Sequence, residues 1–117
     1  MFRIRFALVA ALAAALVVAA TASAAPVKLS GVVGPGFNIT LKKGTSKVTK
    51  LKPGKYTIVV KDLSNIHNFH LTGPGLNKST GVGASGTTTW TVRLKAGTYR
   101  YVCDPHKTVM KGSFKVG

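Results

Sequence analysis

From residue 27 onward, apolar and polar residues alternate in short runs that glycine and proline interrupt, and no helical period is sustained. This pattern predicts strands over residues 27–33, 37–41, 47–51, 56–60, 66–71, 87–94, 98–103 and 112–116. Residues 72–86 are predicted to be loop. Seven or eight short strands at regular spacing are typical of an all-β protein, and we expect a Greek-key β-sandwich.

Two aromatic residues refine this prediction. Tyr99 follows a Leu-x-x-Gly turn at the start of a predicted strand. A tyrosine corner occupies that position in Greek-key sandwiches, where the hydroxyl group bonds to the backbone a few residues upstream. Trp90 lies in the middle of the strand before it, and we expect it to belong to the core, since large aromatic side chains mostly supply buried area.

The first 24 residues have a different pattern, with Arg3 and Arg5 ahead of an apolar run over residues 6–20. Ala22 and Ala24 form a small-x-small cleavage signal around Ser23, so residues 1–24 are interpreted as a secretory signal peptide. An uncleaved membrane anchor is the alternative. We therefore expect residues 25–117 to form one domain that is exported to a periplasmic, cell-wall or extracellular location.

The charge is strongly unbalanced, with 17 Lys and Arg against two acidic residues and a formal net charge of +15. This excess is compatible with simple solubility in a salty or cell-wall setting. It also favours redox partner proteins with acidic docking surfaces, or an anionic membrane or cell-wall surface. Nucleic acid is not expected as a partner, because the lysines are spread along the chain and no aromatic-rich binding motif accompanies them.

Candidate metal ligands are concentrated in one short segment. Cys103 is the only cysteine, and His106 and Met110 follow it in the spacing C-x2-H-x3-M. A lone cysteine cannot form an internal disulfide, and a bound metal would protect its thiol in an oxidising compartment. His67 and His70 lie upstream, three residues apart, so a regular strand would point them to opposite faces. One thiolate, two imidazoles and a thioether are the ligands of a blue-copper site, and they suit copper better than zinc.

The segment LKAGTYRYVCDPHKTVMKGSFKV resembles the C-terminal half of the cupredoxins, and HNFHL resembles their first ligand segment. In that family a ligand histidine is followed by asparagine, and Asn68 follows His67. The resemblance implies that His67, Cys103 and His106 are the strong copper ligands and that Met110 is a weak axial one. It also implies a one-electron carrier between redox partners, with a copper ion as its cofactor.

Further implications concern the path of the electron and the surroundings of the metal. By resemblance, the electron leaves through the edge of the His106 ring, within an apolar patch formed by Pro35, Phe37, Leu71, Pro74, Pro105 and Val109. Since the resemblance assigns the ligand role to His67, we expect His70 to be a surface or loop-packing residue. Asp104 stands where many relatives have serine or threonine, and its carboxylate could accept a hydrogen bond from Asn68. A negative charge so close to the thiolate predicts a lowered reduction potential.

Two other functions are also compatible with these residues. One is a copper carrier or buffer that delivers the metal without cycling its oxidation state. The other is a copper oxidase domain, but residues 25–117 offer no second metal cluster and no Ser/His/Asp set, so we do not expect an enzyme. We expect a monomer.

Overall fold

The computed structural model describes residues 11–16 and 24–117 of the chain. Most of the predicted signal peptide, including Arg3, Arg5 and the larger part of its apolar run, therefore lies outside the described residues. Among the residues that are described, no helix is long and apolar enough to cross a membrane.

Ten strands follow one another along residues 27–116. Their bounds are β1 Val27–Val33, β2 Ile39–Lys43, β3 Ser46–Lys47, β4 Lys50–Leu51, β5 Gly54–Asp62, β6 His70–Gly73, β7 Leu76–Ser79, β8 Gly86–Leu94, β9 Gly97–Val102 and β10 Lys111–Val116. One sheet has the order β3-β2-β1-β5-β8 and the other β4-β10-β9-β6-β7. Strands β1 and β5 pair in parallel, as do β4 and β10, and the other pairs are antiparallel. The predicted β-sandwich is confirmed.

The strand count exceeds the prediction for two physical reasons. The predicted strand over residues 47–51 is divided, because the chain leaves one sheet after Lys47 and joins the other at Lys50. The backbone N–H of Val48, which lies between them, donates to the carbonyl of Leu41. In addition, β7 lies within the predicted loop, where four residues pair with β6 to form a tight hairpin.

The core lies between the sheets and follows the period-2 alternation of the strands. In β5, buried side chains alternate with more exposed ones, so that Ile58 and Val60 reach the interior. Two parallel ring stacks fill the centre. Tyr99 stacks on Phe114 with ring centroids 5.3 Å apart, and Tyr101 stacks on Phe69 at 5.5 Å.

The predicted tyrosine corner is present. The hydroxyl of Tyr99 donates to the carbonyl oxygen of Lys95 at 3.0 Å and accepts from the Lys95 N–H at 2.9 Å. These bonds fix the turn between β8 and β9. Trp90 packs against the core beside Phe69 at a centroid distance of 6.3 Å, but it is only partly buried.

The sandwich has two ends that differ in chemistry. We call one end the Cys103 pole, which contains residues 34–37, His67 and residues 103–110, because β1, β5 and β9 all end there. The other end is the Gly97 pole, which contains Val27, residues 52–55 and Gly97. The nine residues of β5 connect the two poles, a length of about 26 Å at a rise of roughly 3.3 Å per residue.

Candidate metal centre

Three predicted ligand side chains converge at the Cys103 pole. The Nδ1 atoms of His67 and His106 are 3.1 Å apart. The Sγ atom of Cys103 lies 3.7 Å from Nδ1 of His67 and 3.6 Å from Nδ1 of His106. Donor atoms that each bond one ion at roughly 2.0–2.3 Å lie about 3–4 Å apart, so the three atoms are spaced for a shared metal ion.

The tautomer of His67 fits the same interpretation. Its Nε2 atom lies 3.0 Å from the carbonyl oxygen of Gly36, which can only accept a hydrogen bond. Nε2 therefore carries the proton, and Nδ1 presents a lone pair toward Cys103 and His106. A backbone carbonyl that fixes the ring of a metal ligand in this way is common in metal sites. The sequence offered no signal for the contribution of Gly36, because it is a backbone group 31 positions away.

Nested turns hold the ligand loop that follows β9. Asp104–His106 forms a single 3₁₀ turn with Pro105 near its start, and the N–H of His106 donates to the carbonyl of Cys103. The N–H of Met110 donates to the carbonyl of His106 at 2.9 Å, and the N–H of Cys103 donates to the carbonyl of Met110 at 3.0 Å. The loop is thus closed on itself before β10 begins. Met110 is fully buried at the end of this loop.

The three converging residues differ in their access to solvent. His67 and Cys103 are fully buried, whereas His106 is partly exposed. The ring of Phe37 stands edge-on to both histidines, with its centroid 5.4 Å from that of His67 and 4.9 Å from that of His106. Of these three residues, His106 is therefore the one that solvent can reach.

The apolar surface around His106 is smaller than predicted. Phe37 and Val109 are strongly exposed at the Cys103 pole, and Pro35 and Pro105 are exposed beside them. The prediction was wrong for two residues of this patch. Leu71 is fully buried, because its position in β6 points into the core. Pro74 lies at the Gly97 pole, where its ring packs against Gly97.

A side-chain clamp joins the segment that carries His67 to the ligand loop. The N–H of Asp104 donates to Oδ1 of Asn68 at 2.7 Å, and Nδ2 of Asn68 donates to a carboxylate oxygen of Asp104, also at 2.7 Å. The predicted hydrogen bond between these side chains is confirmed. Thr80 extends the clamp into β7 and the loop beyond it, because its carbonyl accepts from Asn68 and its hydroxyl accepts from the N–H of Phe69.

His70 lies outside the group of converging residues and contacts Asp104 instead. Its Nδ1 is 2.9 Å from Oδ1 of Asp104, and its Nε2 is 2.7 Å from the side-chain oxygen of Asn77. Both ring nitrogens thus face acceptors, an arrangement that suits the protonated ring. The sequence suggested only a surface or packing histidine, because the contact joins residues 34 positions apart.

This contact shifts the pKa values of both partners. The hydrogen bond to Asp104 raises the pKa of His70 above its ordinary value, although partial burial opposes the shift. Partial burial acts to raise the pKa of Asp104, but the hydrogen bonds from His70 and Asn68 outweigh it, and the net pKa of Asp104 is lowered. His70 therefore stabilises the fold most below its unfolded pKa and loses this effect as the pH rises through its folded pKa. Asp104 contributes above its own unfolded pKa and loses its effect as the pH falls through its folded pKa.

We expect an NMR titration of the His70 ring to give a pKa above the ordinary histidine value of about 6.5. In Asp104→Asn the negative acceptor is gone, so the pKa of His70 should fall back toward the ordinary histidine value. Lys78→Gln, a charge change in the strand that pairs with β6, serves as the control and should leave the titration close to that of the parent. An equal pKa in the parent and Asp104→Asn would contradict the assigned ion pair.

Comparisons with known proteins agree with the sandwich fold and with copper as the cofactor. The family model of copper-binding proteins of the plastocyanin/azurin family matches residues 14–117. No relative was found among curated protein sequences. Among solved structures, a methionine-to-glutamine mutant of rusticyanin is similar at a TM-score of 0.60 with 23% identity, covering 81% of this chain and 80% of that one. Reduced rusticyanin gives 0.58 with 23% identity and covers 82% of both chains. Rusticyanin from Thiobacillus ferrooxidans gives 0.56 with 24% identity, covering 81% of this chain and 79% of that one.

The structural likeness confirms the sandwich fold, and the family match confirms the cupredoxin resemblance and copper as the cofactor. The chain belongs to the plastocyanin/azurin family of copper-binding proteins.

Proposed function

We propose that this protein is a type 1 copper protein that carries single electrons between redox partners. The observation that supports this best is the convergence of one thiol sulfur and two Nδ1 atoms at a buried point from which only the His106 ring reaches the surface. Bound copper supplies the chemistry by accepting and releasing one electron as it alternates between Cu(II) and Cu(I).

Each residue of the site has a distinct part in this proposal. Cys103 would provide a thiolate, His67 and His106 would provide neutral imidazoles through Nδ1, and Met110 would provide a weakly bound thioether. Cys103 is the strongest electronic link because its sulfur is soft and polarisable. The clamp between Asn68 and Asp104 holds the two ligand-bearing segments in a fixed register.

Rigidity of the site supports rapid electron transfer, since a ligand set that does not rearrange adds little to the barrier. His67 is fixed by the carbonyl of Gly36, and the loop that carries Cys103 and His106 is closed by its own backbone hydrogen bonds. Phe37 packs against both histidine rings. All of these contacts are made by the chain's own residues and bear directly on the donor-carrying side chains.

We further propose that partners approach at the partly exposed ring of His106. Phe37 and Val109 give this surface an apolar centre, and Lys107 and Lys111 add exposed positive charge beside the ligand loop. Acidic partner surfaces would be steered toward these lysines, and association should slow as salt screens the charges. The same proposal includes export by the N-terminal segment, action as a monomer and no enzymatic reaction of its own.

Voltammetry of the copper-loaded protein tests the proposal. An electron carrier should give a reversible one-electron wave, and reduction by a small reagent should be complete and repeatable over many cycles. A copper carrier or buffer would instead release its metal on reduction or show no reversible wave. Either of those results would overturn the proposed electron-transfer function while leaving copper binding intact.

The charge of Asp104 gives a specific expectation for the potential. Replacing Asp104 with serine should raise the midpoint potential by tens of millivolts, because a nearby negative charge favours Cu(II). His70, 2.9 Å from the carboxylate, offsets part of that charge when it is protonated, so the rise should be larger at a pH above its pKa. Asp104→Asn separates charge from hydrogen bonding and should raise the potential in the same direction. An unchanged or lower potential in both variants would count against this effect.

A further inference from the structure

The fold distributes the charges unevenly between the two poles. Asp62 lies at the end of β5 and Asp104 in the ligand loop, so both acidic side chains of the sequence belong to the Cys103 pole. Among the described residues, no aspartate or glutamate side chain lies at the Gly97 pole. The positive charges at this pole therefore meet almost no opposing charge within the chain.

Four lysines surround a cleft of about 460 Å³ at the Gly97 pole, namely Lys43, Lys50, Lys52 and Lys55. All four are exposed, and within residues 24–117 none of them forms an ion pair. Val27 and Pro53, both exposed, add apolar surface to the lining of the same cleft. The hydroxyl of Tyr56 donates to the carbonyl of Lys52 at 2.6 Å, which fixes the turn that carries two of the lysines.

Strand pairing places more like charges side by side at this pole. Lys55 is directly opposite Arg93 across β5 and β8, and Lys50 is opposite Lys115 across β4 and β10. All of these side chains are exposed. Like charges directly opposite each other destabilise a sheet. The two pairs add Arg93 and Lys115 to the positive charge near the cleft and favour a negatively charged binding partner.

The position of the N-terminal segment indicates the kind of anionic surface. The apolar run over residues 6–20 leads through a short stretch directly into Val27, which lines the lysine cleft. Whether that segment is cleaved or retained, the chain enters the domain at the Gly97 pole. A bilayer that receives or has just released the apolar segment would therefore meet this pole first.

We propose that the Gly97 pole is a docking surface for an anionic lipid bilayer, with the four lysines contacting phosphate and carboxylate headgroups and Val27 and Pro53 facing the interface. Docking in this orientation holds the exposed edge of His106 about 26 Å away from the lipid, at the length of β5. The copper site then faces soluble partners. This surface depends on the charges of the fold and is independent of electron transfer.

Vesicle sedimentation tests the proposal with the copper-loaded full chain. The parent should bind vesicles that contain phosphatidylserine in phosphatidylcholine more tightly than vesicles of phosphatidylcholine alone. Each lysine near an anionic surface contributes roughly a fivefold change in partitioning, so the combined variant K43Q/K50Q/K52Q/K55Q should lose roughly 100-fold or more on anionic vesicles. Its thermal stability should equal or exceed that of the parent, because like-charge pairs have been removed.

A matched control removes four positive charges elsewhere. K61Q/K78Q/K107Q/K111Q has the same net charge as the first variant but keeps the Gly97 pole intact, and it should lose less than about tenfold. Equal losses in the two variants would show that net charge alone acts and would overturn the proposal. Parent protein that binds neutral and anionic vesicles equally would also overturn it. So would binding of a soluble polyphosphate through the four lysines without any binding of anionic vesicles, because the occupant would then be a wall-type polymer.

Discussion

Replacing Cys103 with serine should remove the intense visible colour of the copper protein and weaken copper binding by roughly 100-fold or more. The colour of such a site arises from charge transfer between the thiolate and Cu(II), and Cys103 is the only thiol in the chain. Serine is close in size to cysteine, so it should fit the fully buried position of Cys103 and the fold should survive the change. A visible spectrum and a copper titration by calorimetry measure the two effects.

Two variants serve as controls for the serine replacement. Met110→Leu should keep the charge-transfer band, because a weak axial thioether contributes little to it. His70→Gln should also keep the band, since His70 faces Asp104 and lies outside the converging donors. A strong band in Cys103→Ser, or its loss in His70→Gln with the fold intact, would contradict the assignment of the site.

Replacing Gly112 with alanine should destabilise the protein by about 3 kcal/mol, which corresponds to a fall in Tm of roughly 12–24 °C. A Cβ atom at this position would lie 2.2 Å from Cζ of Tyr101 and 2.3 Å from its hydroxyl oxygen. The Tyr101 ring is held between β10 and the ring of Phe69, which stacks on it, so it has no open space to move into. Chemical denaturation followed by fluorescence gives the free energy of unfolding.

A second glycine variant and a matched control test the same packing of the tyrosine rings. Gly73→Ala should have a similar effect, because its Cβ would lie 2.2 Å from Cδ1 of Tyr99. Gly81→Ala places its Cβ 3.4 Å from the nearest atom, an ordinary contact, and should change stability by less than about 0.5 kcal/mol. Equal stability of Gly112→Ala and Gly81→Ala would show that the tyrosine rings are not packed as described.

The sandwich was predictable because its strands bury one face and expose the other. In β5 and β9 the alternation of apolar and polar residues survives into the structure, and their predicted positions differ from the observed bounds by one or two residues. Strand β7 could not be predicted, since its four residues show no alternation and only one of them is partly buried. The division of residues 47–51 between two sheets depends on long-range pairing that local sequence does not encode.

The part of the site whose residues lie close together in the sequence could be predicted. Cys103, His106 and Met110 lie in one loop, and a turn stiffened by Pro105 brings two of them to the same point. The ion pair of His70 with Asp104 was not predictable in the same way. It depends on the register of β6 against β9, in which His70 pairs with Val102 two residues before Asp104.

The clustering of lysines at the Gly97 pole could not be predicted from the sequence either. In sequence Lys43, Lys50, Lys52 and Lys55 appear spread along the chain, a distribution that counted against a nucleic-acid partner. The fold gathers them around one cleft because β2, β4 and β5 reach the Gly97 pole from both sheets. Charge distribution in this protein is thus a property of the topology and not of any one segment.

A crystal structure of the copper-loaded protein, with the metal located by its anomalous scattering, would show which side chains hold the copper. We expect one copper ion within bonding distance of Sγ of Cys103 and of Nδ1 of both His67 and His106. A copper ion bound elsewhere, or bound by His70 in place of His67, would contradict it.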